Sequence, residues 1–234
     1  MISRLVSFII FFIFPLYFSS YSILLLRVLF RDLVITESIE FFMMVVLRVF
    51  VSVMLFIFVF RYNNDFMNQF PIDNIRKKLL SSLFYFILLI TVCYSIFILI
   101  SFFRLSILDN NSYFKNSAIV QLNHLINDKN YLIFSVLIIY FVVIIPLIEE
   151  LSFRYFLLNS YDKSSLFNTL NLIVTAIVFS LFHLPGRINV IMSFISGLML
   201  GYLKIKDGNL IRPVIVHAFT NLSVLVFILL KDRY

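Results

Sequence analysis

Seven runs of almost unbroken apolar sequence, at about 5–26, 41–60, 79–103, 131–152, 164–183, 188–203 and 211–230, take up most of this 234-residue chain. Each reaches or approaches the roughly 20 residues that carry an α-helix across a hydrocarbon core of about 30 Å. In lipid, every backbone N–H and C=O must be satisfied within the structure itself, which leaves helices or closed barrels. Barrel strands would alternate polar and apolar side chains. These runs are continuously apolar, so helices are predicted. The expected fold is an all-α, polytopic transmembrane bundle of about seven (six to eight) spans.

Composition agrees. The chain is 62% hydrophobic and 13% charged, where soluble domains run near 45–50% and about 25%. A net charge of +7 could suggest nucleic acid, but the basic residues are spread over short linkers, as in Arg76-Lys77-Lys78 and Lys204 to Lys206. Lys and Arg flanking apolar spans are a property of membrane proteins. Near parity of these charges on the two sides leaves the orientation open. Cys93 is the one cysteine and lies in an apolar run, so it reads as a buried, inert thiol. The first run continues to about Leu26 without an A-x-A site, which reads as a retained span rather than a cleaved signal peptide. Arg48 reads as a snorkelling or helix-end cation, and His124 as a solvated linker residue. The expected organisation is an N-terminal membrane region, 1–130, with about three spans and a linker. A core of about four spans follows, 131–234.

The polar residues inside that core are the informative ones. Glu149 and Glu150 are adjacent carboxylates within an apolar run, where an ionised group costs on the order of 3 kcal/mol or more. Glu150 and Arg154 are four apart and share a helix face, so they can pair. Glu149 points about 100° away, toward other partners. His183 follows the fifth run; His217 and Asn221 lie one turn apart in the seventh. Carboxylates alone could be helix glue. Together with two histidines and an amide they supply a general base, a second proton carrier and hydrogen-bond donors for an oxyanion. Gly197-x-x-x-Gly201 precedes the last run and predicts close helix packing within the bundle.

Glu149-Glu150-Leu151-Ser152-Phe153-Arg154 fits E-E-x-x-x-R, Phe179 to His183 fits F-x-x-x-H, and His217 to Asn221 fits H-x-x-x-N. In this order, on separate spans, they resemble the three motifs of the CPBP family, the CAAX proteases and bacteriocin-processing Abi proteins. The resemblance covers roughly Tyr131 to Leu230. It implies an intramembrane endopeptidase of the glutamate type. Glu149 and His183 would activate a water, and His217 and Asn221 would stabilise the oxyanion. Glu150 and Arg154 would hold the site or position substrate. It also implies a metal-free mechanism and no cofactor. Zinc stands as the alternative, because two His and one Glu form several catalytic zinc sites. Partners would be the lipid bilayer and a peptide or protein substrate, lipidated or a bacteriocin or signal-peptide precursor. The Phe-, Ile- and Asn-rich composition points to an AT-rich bacterial gene and a multi-pass protein of the cell membrane. Two other functions compete: a non-catalytic immunity or regulatory protein that docks a partner, and a transporter with a Glu–His proton relay. In a simple span model His183 falls on the opposite membrane side from Glu149 and His217. Two features are expected to reconcile this: Pro146 and Pro185, by breaking or tilting their helices, or a fourth helix that continues through Phe153–Leu158 and places Glu149 deeper.

Overall fold

The chain turns sharply at Pro71 to Asn74 before its first long described helix. Asn74 takes a positive φ of 56°, and its carbonyl accepts the Lys78 amide at 3.0 Å. The computed structural model describes residues 43, 45–47, 49–54, 57, 68–102, 131–158, 165–183 and 187–231. The expected span 5–26, the 104–130 linker, Arg48 and His124 lie outside these, and the span 41–60 is described in part.

Among the described residues there is no strand. The helices are α1 (Ile75–Phe102), α2 (Tyr131–Ile139), α3 (Ile145–Glu150), α4 (Ser165–Leu181), α5 (Arg187–Asp207) and α6 (Ile211–Lys231). A π-helical turn, Tyr140–Ile144, joins α2 to α3, and a second π-helical segment, Leu151–Leu157, continues α3. Among the described residues, three stretches are long and apolar enough to cross a membrane: Ile75–Ile100, Phe134–Leu157 and Ile188–Asp207. Val45–Met54, Leu166–Leu181 and Ile211–Phe227 are shorter apolar helices. The protein is thus an all-α membrane helical bundle.

Three expected boundaries move. Arg76, Lys77 and Lys78 fall in the first turn of α1 rather than in a loop, and Lys78 reaches back to the Pro71 carbonyl at 2.8 Å. The fourth run continues to Leu157, beyond the expected end at 152. The sixth runs to Asp207, so Lys204 and Lys206 are helical. Lys204 is buried; it donates to the Gln69 side chain and, at 3.0 Å, to the Gly208 carbonyl. Its ammonium therefore satisfies the Gly208 carbonyl at the helix end, which an apolar residue would leave without this donor. Gly208, at φ 68°, ends α5 in the left-handed region that a side chain disfavours.

Exposed apolar side chains cover most of α1, as lipid contact requires, and Ser82, Leu89 and Ile100 form a narrow buried stripe. Leu89 packs with Leu200, Leu203 and Val216, which ties α1 to α5 and α6. Gly197 and Gly201 serve packing inside the bundle, as expected. A Cβ at Gly197 would stand 3.1 Å from both Cα and Cβ of Ala176, and one at Gly201 would meet the Leu172 side chain. These glycines let α4 and α5 approach closely.

Candidate active site

The helix that carries the carboxylates is broken twice, and the breaks follow from its sequence. Pro146 has no amide hydrogen and its ring crowds the preceding turn. Just before it the helix widens: the Ile145 amide bonds to Tyr140 O, five residues back instead of four. The helix then resumes through Glu149 and Glu150, and widens again at Leu151–Leu157, which closes with Leu158 N–H to Phe153 O at 2.9 Å. Leu151, Ser152, Phe153, Arg154 and Phe156 are all buried there.

Glu150 and Arg154 form the expected ion pair, Arg154 Nη1 to Glu150 Oε1 at 3.1 Å, with both side chains at 0% exposure. Arg154 Nη2 reaches Gly197 O on α5 at 3.4 Å. Its guanidinium also stands 4.5 Å from the centroid of the Phe179 ring on α4, a cation–π contact. Nη1 makes no aligned hydrogen bond among the described residues, so charge, more than bond geometry, holds the pair.

His217 on α6 lies between the two carboxylates. Its Nδ1 is 2.9 Å from Glu150 Oε1 and its Nε2 is 3.6 Å from Glu149 Oε2. A carboxylate accepts, so Nδ1–H is the donor to Glu150. The second distance exceeds a hydrogen bond, and Glu149 Oε2 has no hydrogen-bond partner among the described residues. Glu149 is also the more accessible carboxylate, 17% exposed against 0% for Glu150. Sequence reasoning paired Glu150 with Arg154. It did not foresee that His217 would share Glu150.

His183 is half-buried and lies on the same side of the bundle as this cluster. Its ring is 4.7 Å from that of Phe179, which is in turn 5.9 Å from that of His217. Phe153 packs on both Phe179 and Phe182. The end of α4 is thereby seated against the π-helical segment beside the carboxylates. The simple span model fails because it ends the helix of the fourth run close to Glu149; that helix continues to Leu157, so Glu149 lies inside it rather than at its end. Pro185, the other residue expected to bend the path, lies outside the described residues. His183 Nδ1 lies 2.9 Å from Phe179 O. A carbonyl only accepts, so Nδ1 carries the hydrogen, and in the neutral ring Nε2 keeps its lone pair.

Asn221 was expected beside the oxyanion. One of its amide hydrogens goes to Phe141 O, at 2.9 Å, in the first π-helical turn. Pro146 breaks its helix as expected, whereas Phe179 and the carbonyls of Phe141 and Gly197 were not foreseen as parts of the site. Phe179 had one signal, its place at the head of F-x-x-x-H; a tertiary carbonyl contact leaves no sequence trace. Among the described residues no three His, Cys, Asp or Glu side chains are grouped to hold a metal.

Residues 131–223 match the protein family described as Type II CAAX prenyl endopeptidase Rce1-like. No curated protein and no solved structure matches the chain.

Proposed function

The chain belongs to the CAAX-protease family by its segment 131–223, and from that premise we propose that it is an intramembrane endopeptidase of the glutamate type. A protease of this family acts on a peptide or protein substrate at the membrane. The single observation that carries the finer reading is His217, held between Glu150 at 2.9 Å and Glu149 at 3.6 Å beside a buried guanidinium.

Glu149 is the base. Among the described residues its Oε2 has no hydrogen-bond partner, which suits it to take a proton from a water. The Nε2 lone pair of His183 orients that water. Its oxygen bonds to the scissile carbonyl carbon, and the C=O electron pair moves onto oxygen. His217 in its protonated form donates Nε2–H to this oxyanion. Collapse breaks the C–N bond, and the leaving nitrogen takes the proton from Glu149. Glu150 and Arg154 hold the imidazole: the guanidinium balances one of the two carboxylates, and the protonated ring of His217 balances the other. No step draws on a cofactor.

We assign the protein to a cell membrane as a multi-pass chain, bacterial on compositional grounds. Prenylated C-terminal peptides, bacteriocin precursors and signal peptides are the substrate classes to compare. The test is cleavage of such a panel by wild type and Glu149→Gln, reconstituted in lipid, with and without chelator. Loss in the variant and retention under chelator are expected. Equal cleavage by both proteins would remove Glu149 from the mechanism, and loss under chelator restored by zinc would replace the mechanism altogether.

A further inference from the structure

The Phe141 carbonyl that accepts Asn221 Nδ2 lies within a helix, where carbonyls normally have a main-chain donor. In α-helical register that donor is Ile145, but the Ile145 amide goes to Tyr140 O. In the wider register the next amide would serve Phe141 O, and that residue is Pro146, which has none. Both registers therefore pass Phe141 O by. The Asn221 side chain reaches it from α6 at 2.9 Å.

We propose that Asn221 is a positioning residue whose side-chain amide supplies the hydrogen that Pro146 withholds from Phe141 O. Pro146 and Asn221 then act as one unit that sets the register between the Glu149 helix and α6. The inference rests on the reading of Glu149 and His217 as the reacting pair. His217 and Asn221 are four apart and share one face of α6. The two helices are thus bridged at two levels: Asn221 to Phe141 O, and His217 to Glu150. A slip of α6 by one residue would move His217 by about 1.5 Å, a large fraction of its 3.6 Å distance to Glu149.

The test is a double-mutant cycle in the full chain, reconstituted in lipid, reading melting temperature and cleavage rate. With Pro146 present, Asn221→Ala is expected to lower the melting temperature by on the order of 5 °C and to slow cleavage. In the Pro146→Ala background a new amide serves Phe141 O. There the same substitution should lower the melting temperature by less than about half as much and slow cleavage less. Equal losses in both backgrounds overturn the proposal and make Asn221 a group that meets substrate directly. If Pro146→Ala does not fold, Asn221→Leu decides: it keeps size and neutrality and removes the donor. Destabilisation like that of Asn221→Ala upholds the proposal, and wild-type stability overturns it. Melting needs no substrate, so a wild type that cleaves nothing refutes the peptidase reading without altering this result.

Discussion

Replacing Arg154 by Met tests how the buried charges are held. Met fills much of the volume of the arginine stem, so the change isolates the guanidinium. That group contacts Gly197 O at 3.4 Å, near the limit of a hydrogen bond, and the Phe179 ring at 4.5 Å. Both contacts are secondary. The main effect is on Glu150, which has 0% exposure and would keep His217 as its one remaining polar contact of those described above. Removing one member of a buried pair costs about 3–5 kcal/mol. At about 2–4 °C per kcal/mol for a chain of this size, the melting temperature should fall by roughly 6–20 °C. The chain has no Trp, but its single cysteine, Cys93, is half-buried. A thiol-reactive fluorophore in detergent therefore reports unfolding directly. Adding Glu150→Leu to Arg154→Met should recover part of the loss, because an unpaired carboxylate is worse than none. A fall of less than about 3 °C in the single variant would refute the reasoning. It would mean that His217 alone compensates Glu150.

Other outcomes follow from the same contacts. Glu149→Gln should leave the fold intact and slow cleavage by about 10²–10⁴-fold, the range of a lost general base; single-turnover assays in lipid measure it. His183→Phe keeps a ring against Phe179 and removes Nε2; melting should change little while cleavage falls, and unchanged cleavage would take His183 out of the site. Gly197→Ala brings a Cβ to 3.1 Å from the Ala176 backbone, whereas Gly201→Ala meets side chains alone, chiefly the end of Leu172. The first should destabilise by about 1–3 kcal/mol and the second by less, as seen in paired melting curves.

Much of this arrangement can be read from residue spacing. The i,i+4 relation of Glu150 and Arg154 fixes their pairing, and it leaves Glu149 the freer carboxylate. Gly197 and Gly201 announce a close helix approach, and the apolar runs announce a membrane bundle. Three features escape the sequence for physical reasons. The π-helical turns depend on where a widened register can be accommodated by neighbouring helices, so Pro146 marks a break without giving its form. The level of His183 relative to Glu149 depends on the helix of the fourth run continuing to Leu157, a continuation that its apolarity allows without deciding. Asn221 bonds a carbonyl freed by a proline on another helix, a coincidence of two elements that no local pattern encodes. Lys204 was misread as a loop cation for a similar reason: its partners, Gln69 and Gly208, lie outside its own helix.

The end of α4 at Leu181 has a consequence for the surrounding lipid. Leu166, Leu170, Ile173, Val174, Ile177 and Leu181 form an exposed apolar face, and His183 follows two residues beyond its last member. Lipid that does not match such a face thins or thickens beside it, at a fraction of a kcal/mol for each ångström of mismatch. Thinner lipid on that flank brings the headgroup layer and its water toward His183. Acyl-chain length then becomes a control on hydration of the site: cleavage in vesicles of graded thickness should decline as the membrane thickens.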